Sequence, residues 1–234
     1  MVGVVTGGAG CGETLLQASG APSLARHNQR MPTRTRTVTP PSAGPVRCAF
    51  VDESMRLTPD DRGTYLLAAV VTEVARCEEI RQTLRSLLYR RQERLHWRGE
   101  EGSRRTKIAE AVGTLNVAAT VVIGSPLAKK KQERARRKCL ETLLPHLEQI
   151  GVTYVVMERR TPSLVQKDQK MITAIRGKRL IGSGLRIDTA LPKEEPMLWL
   201  PDAVAGAFGA ARDAGHVEYL GLIGSVEQIE VSTL

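Results

Sequence analysis

Short apolar runs that end in an acidic residue limit what this chain can fold into more than any other feature. One run, residues 46–51, stops at Asp52, and a later one, residues 152–157, stops at Glu158. Short apolar runs bounded by turn residues predict buried strands. The segments between them carry apolar residues at three- and four-residue steps, which predicts helices packed on one side. We therefore expect an α/β domain in which a mixed sheet is flanked by helices.

The same patterns predict the order of the elements along the chain. A second strand is expected to form a hairpin with the first. Predicted strands cover residues 46–51, 64–72, 117–123, 152–157, 185–188 and 226–231, and predicted helices cover residues 76–94, 104–115, 129–147, 164–175 and a segment that starts near Pro201.

The first 45 residues differ in composition from the rest of the chain. They are rich in Gly, Ser, Thr, Pro and Arg and have no sustained hydrophobic period, which predicts a disordered or leader segment. Met31 is an alternative start. The glycines of residues 7–12 are not expected to form a phosphate-binding loop, because no Gly-Lys-Ser/Thr follows them. The domain is therefore expected to occupy residues 46–234.

Composition narrows the cellular setting and the class of partner. The net charge of +9 favours a polyanionic partner. No apolar run approaches the ~20 residues that a membrane span needs. Four widely spaced cysteines without a Cys-x-x-Cys pair indicate a reducing compartment rather than a disulfide or zinc framework. Since no signal peptide pattern opens the chain, we expect a cytoplasmic protein that does not engage a membrane.

Three acidic residues are candidates for a shared metal site. Asp52 and Glu158 follow predicted strands, and Asp202 opens the last long predicted helix. Carboxylates that converge from distant segments can hold Mg²⁺ or Mn²⁺ for phosphodiester hydrolysis. Each also has a structural alternative. Asp52 could start a turn, Glu158 could pair with the arginines that follow it, and Asp202 could stabilise a helix N-terminus.

Four short motifs resemble the family catalogued as domain of unknown function 3800, which is predicted to contain nucleases of RNase H-like fold. The matching stretches are residues 50–54 (Phe-Val-Asp-Glu-Ser), 95–98 (Leu-His-Trp-Arg), 157–159 (Met-Glu-Arg) and 201–207 (Pro-Asp-Ala-Val-Ala-Gly-Ala). The resemblance runs from about residue 46 to the end of the chain. It implies an RNase H-like mixed sheet flanked by helices, and metal ligands at Asp52, Glu158 and Asp202.

Other residues of these motifs are weaker candidates for the site. His96 could donate to a phosphate or take part in proton transfer, or could bind the backbone at a helix end. Glu53 is expected to point away from Asp52, because neighbours on a strand face opposite sides. Ser54 is expected to be a turn residue rather than a nucleophile. Trp97 is expected in the core, with a base-stacking surface as the alternative.

Two further aspartates are secondary candidates for the acidic site. Asp188 follows a short predicted strand and is a candidate metal ligand. Asp168 lies in a polar stretch that predicts a solvated helix face. The basic run of residues 129–138 is either a solvated face or a phosphate-contacting patch.

These observations favour a metal-dependent nuclease acting on RNA or DNA, with Asp52, Glu158, Asp202 and His96 as catalytic candidates. The alternative is a catalytically inactive domain of the same fold that binds nucleic acid or another partner. Met55-Arg56 after Asp-Glu-Ser, where many members of the family continue with Gly-Asp, favours that alternative. A third possibility is an enzyme or interaction protein unrelated to nucleic acid.

Overall fold

A six-stranded sheet organises the part of the chain that the computed structural model describes, residues 46–60 and 62–234. The expectation of a disordered or leader segment over residues 1–45, with Met31 as a possible start, lies outside the described residues. The strands are β1 (Arg47–Arg56), β2 (Gly63–Glu73), β3 (Ala118–Leu127), β4 (Val152–Glu158), β5 (Arg186–Ala190) and β6 (Val226–Ser232). The helices are α1 (Cys77–Ser86), α2 (Gly102–Thr114), α3 (Gln132–Gln149), α4 (Pro162–Gly177), α5 (Trp199–Ala214) and α6 (Glu218–Ile223).

The strand order across the sheet is β5-β4-β1-β2-β3-β6. β1, β2 and β3 form an antiparallel meander, which includes the expected hairpin. The remaining pairs, β1 with β4, β4 with β5 and β3 with β6, are parallel. The α/β class expected from the sequence, a mixed sheet flanked by helices, is therefore confirmed. β1 lies inside the sheet between β4 and β2, so its residues, including Asp52, have a strand on each side.

Each face of the sheet packs against a separate apolar core. On one face, Phe50 of β1 and Val156 of β4 join residues from α1, α2 and α5. On the other face, Val51 and Met157 join residues from α3 and α4. Side chains along a strand alternate between the two faces, so this division also fixes where the acids at the strand ends must point.

Three features differ from the sequence-based expectation. The helix predicted over residues 76–94 ends at Ser86, and the residues that follow form turns and extended backbone. Arg104 donates to the carbonyl oxygen of Leu87 and its guanidinium lies 4.0 Å from the centre of the Tyr89 ring, which holds the chain off the helical path. β1 continues past Asp52 to Arg56, and α6 was not predicted. Tertiary contacts outweigh local periodicity in these places.

No helix in residues 46–60 and 62–234 is long and apolar enough to cross a membrane.

A buried ion pair ties α1 to the segment that leads into α5. The guanidinium of Arg81 makes two hydrogen bonds of 2.8 Å to the carboxylate of Glu195, and both side chains are at most 7% exposed. The same carboxylate accepts a bond from the Met197 amide, 3.2 Å away. Losing one partner of such a pair costs much more than the pair contributes, because the other charge stays buried.

The substitution Glu195→Ala is therefore expected to lower the free energy of unfolding by about 3–5 kcal/mol, measured by urea denaturation. Glu79→Ala, which removes an exposed carboxylate from α1, is the matched control and is expected to change it by less than about 0.5 kcal/mol. Equal effects of the two substitutions would contradict a structural role for the buried pair.

Candidate functional site

Two carboxylates meet where the parallel pairing of β1 with β4 ends. Val51 and Met157 are paired in register, so Asp52 and Glu158 come one residue later on neighbouring strands. Both lie on the face occupied by Phe50 and Val156. The central position of β1 leaves Asp52 only 8% exposed. The strand register alone therefore brings together two acids that are 106 residues apart in the sequence.

The pKa of Asp52 lies well above the ordinary value for an aspartate. Burial is the largest cause, followed by hydrogen bonding to the carboxyl group of Glu158 and by the negative charges of Glu158 and Asp202. The Glu53 amide, 2.7 Å from Oδ1 of Asp52, opposes this shift by stabilising the charged form. Two carboxylates this close are stable together only with a shared proton or a cation between them.

Asp202 joins the site from the first turn of α5. Its Oδ2 accepts a 2.8 Å hydrogen bond from the Trp97 amide and lies 3.3 Å from Nδ1 of His96. It does not cap α5, whose N-cap is Leu198, but its place in the first turn agrees with the alternative that its charge stabilises the helix N-terminus. Its carboxylate also connects α5 to the irregular segment before α2.

His96 sits beside Asp202 with half of its side chain exposed. The hydrogen bond to Asp202 is the main cause that raises the pKa of His96, while burial and the charges of Arg94 and Arg98 oppose the rise. The structural alternative, a histidine bound to the backbone at a helix end, is wrong because its partner is a carboxylate. A raised pKa keeps the imidazolium form, which can donate two hydrogen bonds, populated to higher pH.

Trp97 fixes this segment on α5. It is buried, as expected, and packs edge to face on Tyr219 with ring centres 5.3 Å apart. The indole lies directly on Gly206, where an added Cβ would stand 2.1 Å from a ring carbon. The glycine therefore permits the close approach that carries His96 to Asp202.

On the opposite face of the sheet, Glu53 belongs to a separate network of charges. It contacts Arg136 and Arg160, and the hydroxyl of Tyr65 donates to it. Arg136 in turn makes two hydrogen bonds, of 2.8 and 3.0 Å, to Asp168. Glu53 thus points away from Asp52, as the alternation of a strand requires. The expected solvated position of Asp168 is wrong, because this residue is only 2% exposed.

Arg160 does not pair with Glu158, contrary to the structural alternative for that glutamate. It contacts Glu133 and Asp168 as well as Glu53. Among the described residues, neither Asp52 nor Glu158 forms an ion pair with a basic side chain. Arg160 thus neutralises acids of the opposite face, whereas Arg159 donates to the carbonyl oxygen of Thr189, and neither compensates the carboxylate pair.

Asp188, the fourth candidate ligand, is not brought to this pair. It lies opposite Val156 on β5, which is two residues before the level of Glu158. Its carboxylate accepts from Tyr154, 3.1 Å away, and pairs with Arg186 at 2.7 Å. Both partners hold the Asp188 carboxylate away from Asp52 and Glu158, and Asp188 does not line the cavity that these two acids share.

Asp52, Glu158, Asp202 and His96 all line one cavity of about 610 Å³. Arginines from three segments line it too: Arg94, Arg98 and Arg105 before and within α2, Arg159 and Arg160 after β4, and Arg56 at the end of β1. Sequence reasoning assigned no role to the first group: Arg94 and Arg105 fell within predicted helices, and Arg98 was part of the Leu-His-Trp-Arg motif. The alternation of Arg94, His96 and Arg98 with the buried Leu95 and Trp97 was the available signal.

The basic run of residues 129–138 contributes little to this cavity. Only Arg136 of the run lines it, and its guanidinium is engaged by Glu53 and Asp168. Lys130, Lys131 and Arg137 are exposed outside the cavity. This distribution agrees with a solvated face.

The residues present fit a divalent cation in part. Asp52 and Glu158 offer the hard oxygen ligands that Mg²⁺ and Mn²⁺ prefer, in a place where a positive charge would relieve their repulsion. Asp202 is nearby but is held by His96 and Trp97. Within residues 46–60 and 62–234, no group of three Asp, Glu, His or Cys side chains lies close enough together to hold a metal. The carboxylate pair is thus the part of the cavity that suits a cation.

Comparisons with known proteins add little to this description. No protein family model and no curated protein match the chain, so the resemblance to the domain of unknown function 3800 family stays a prediction. One solved structure that the chain resembles is that of the PCNA:RNase HII complex from Archaeoglobus fulgidus. The identity is 12%, the match covers 75% of this chain and 76% of that chain, and the TM-score is 0.44. At that level the fold assignment rests on the strand order.

The raised pKa of Asp52 predicts how stability depends on pH. The folded chain holds this proton more tightly than the unfolded chain, so the free energy of unfolding falls as the pH rises from the ordinary carboxyl range towards the raised pKa. Asp52→Asn removes the repulsion and is expected to flatten this decline, so the variant exceeds the wild type in stability at neutral pH. Denaturation at a series of pH values, with the exposed Glu101→Gln as control, checks this. Parallel profiles for the wild type and Asp52→Asn would refute it.

A second prediction concerns His96. Asp202→Asn keeps an acceptor for the Trp97 amide but removes the charge beside the imidazole, so the pKa of His96 is expected to fall towards the ordinary value of about 6.5. Titration of the imidazole resonances by NMR measures the change. Asp213→Asn, which removes another cavity-lining carboxylate that pairs with Arg56, is expected to leave this pKa unaltered. An unchanged pKa in Asp202→Asn would contradict the pairing.

Proposed function

We propose that this protein is a metal-dependent nuclease that hydrolyses phosphodiester bonds in RNA or DNA. The observation that carries the proposal is the uncompensated contact between Asp52 and Glu158 inside a cavity whose other lining is rich in arginine. A negative pair that shares a cavity with Arg94 and Arg98, which have no ion-pair partner among the described residues, suits a substrate that is itself anionic and that reacts next to a cation. The RNase H-like arrangement of the sheet supports the same function at the level of fold.

Asp52 and Glu158 would hold the cation, Mg²⁺ or Mn²⁺. Such a cation supplies Lewis-acid polarisation of a phosphate and lowers the pKa of a water molecule. Asp52 lies within β1 and Glu158 ends β4, and this strand backbone keeps the two carboxylates in place, so little reorganisation is needed when the cation and the substrate enter. The burial that raises the pKa of Asp52 also strengthens each electrostatic interaction made there.

His96 and Asp202 would handle protons and orientation. The Asp202 carboxylate favours the imidazolium form of His96, which can donate a hydrogen bond to a phosphate oxygen or a proton to a leaving alkoxide. Because Asp202 also binds the Trp97 amide, its carboxylate keeps the imidazole at the cavity surface. In this assignment Asp202 positions His96 as well as adding negative charge near the metal.

A second candidate is a catalytically inactive nucleic-acid-binding domain of the same fold. The commitment of Asp202 to His96 and Trp97 favours it, since the described residues then provide only a pair of carboxylates near a cation. This candidate predicts salt-sensitive binding of polynucleotides with no cleavage under any divalent metal.

The test is cleavage of labelled single-stranded RNA, single-stranded DNA, duplex DNA and an RNA–DNA hybrid with Mg²⁺, with Mn²⁺ and with EDTA. Asp52→Asn and Glu158→Gln are each expected to lower the rate at least about a hundredfold, which corresponds to ~2.7 kcal/mol of lost transition-state stabilisation. Asp188→Asn, an aspartate on the same face of the sheet but outside the cavity, is expected to keep the wild-type rate.

Two outcomes would overturn the proposal. Full cleavage by Asp52→Asn would show that Asp52 does not belong to the catalytic site. Binding without cleavage by the wild type under every metal would contradict the nuclease proposal and support the second candidate. Thermal denaturation provides a measurement that is independent of activity. Mn²⁺ is expected to raise the melting temperature of the wild type but not that of Asp52→Asn, because a ligand stabilises only the state that binds it.

A further inference from the structure

The irregular segment before α2 presents a row of basic groups to the cavity. In residues 94–98, called the wall segment below, Leu95 and Trp97 are buried, whereas Arg94, His96 and Arg98 are exposed and line the cavity. Arg94 and Arg98 form no ion pair with any described residue. Both charges lie near enough to His96 to lower its pKa. The wall segment therefore carries two cationic side chains without a protein counter-charge beside the candidate catalytic histidine.

The wall segment is held in place by contacts with α2 and α5. The Trp97 amide donates to Asp202 at 2.8 Å, and the Trp97 carbonyl oxygen accepts from Nε of Arg105 at 3.2 Å. The indole ring is seated on Gly206. These contacts hold the wall segment beside the carboxylate pair before any substrate arrives, so the backbone that carries the two arginines loses little entropy on binding.

The depth of the carboxylate pair limits the form of the substrate. Asp52 is 8% exposed, and the cavity that leads to it has a volume of about 610 Å³. The phosphates of a duplex lie on the outside of a stiff cylinder, which cannot bend into a recess of this size. An unpaired strand can place a single phosphodiester in the recess while its neighbours follow a basic surface.

The spacing along the wall segment favours a polymer over a single nucleotide. His96 has extended backbone, and Trp97–Gly99 form a single turn of 3-10 helix that carries Arg98. Arg94 and Arg98 therefore provide two separate cationic groups, one on each side of His96 in the sequence, and this set suits successive phosphates of one strand. A mononucleotide could engage only part of it.

We propose that the wall segment binds the phosphates of an unpaired polynucleotide strand through Arg94 and Arg98, and that this makes single strands the preferred substrate of the site. This inference rests on the proposed nuclease function. It concerns recognition, and it is tested without catalysis, so it can fail or succeed separately from cleavage.

The experiment measures binding by fluorescence anisotropy, with the full chain, in EDTA. The probes are labelled single-stranded RNA and DNA of one sequence and the matching duplexes, each measured over a range of salt concentrations. The wild type is expected to bind at least one of the single strands at least about tenfold more tightly than its duplex at 0.1 M salt. RNA and DNA strands are both included because phosphates are common to them.

The variant with both Arg94→Gln and Arg98→Gln is expected to weaken single-strand binding at least about tenfold, as each lost charged hydrogen bond contributes about 1.5–3 kcal/mol. The slope of log affinity against log salt is expected to become shallower by about 1.4, which corresponds to two contacts at ~0.7 each. Arg90→Gln, an exposed arginine of the same region that does not line the cavity, is the matched control and is expected to keep the wild-type slope.

Equal or tighter binding of the duplexes would overturn the inference. It would also be overturned if the double variant retained the affinity and salt slope of the wild type, or if Arg90→Gln produced the same loss. Because both substituted arginines are exposed, thermal denaturation of the variants is expected to match that of the wild type, so a loss of binding reports on recognition.

Discussion

The alternation of side chains along β1 determines which acids of the site meet one another. Asp52 and Glu53 are neighbours in the sequence, yet the strand sends them to opposite faces of the sheet. Glu53 meets Arg136 and Arg160, which neutralise it. Asp52 meets Glu158, which does not. One pair of adjacent acids thus gives a structural ion network on one face and an unneutralised carboxylate pair on the other.

The unneutralised pair has a thermodynamic cost that the opposite face helps to offset. Burial and like charge raise the pKa of Asp52, so the folded state is destabilised whenever that group is ionised. Arg160 follows Glu158 closely in the sequence and is engaged by Glu133 and Asp168 as well as by Glu53. These contacts anchor the end of β4, which keeps Glu158 next to Asp52. Local strain of this kind at a site is maintained by the rigidity of its surroundings.

Much of the fold could be predicted from local pattern, because buried strands and amphipathic helices leave short-range signals. All five predicted helices and all six predicted strands exist, with shifted ends. The part that failed was the end of α1 at Ser86. The apolar spacing of Leu84, Leu87 and Leu88 continues the helical period, but Arg104 binds the carbonyl oxygen of Leu87 and the chain turns away. A contact from a later element decided the conformation there.

Local sequence was enough to place Asp52 and Glu158 directly after buried apolar runs, and the two-residue period of a strand was enough to turn Glu53 away from Asp52. Which charges meet depends on the tertiary fold. Asp202 reaches His96 across 106 residues because Gly206 admits the ring of Trp97. Asp168 lies in a stretch that is polar on all sides, yet it is buried because it forms an ion pair with Arg136 of α3. Partners of this kind come from distant segments, and no local pattern records them.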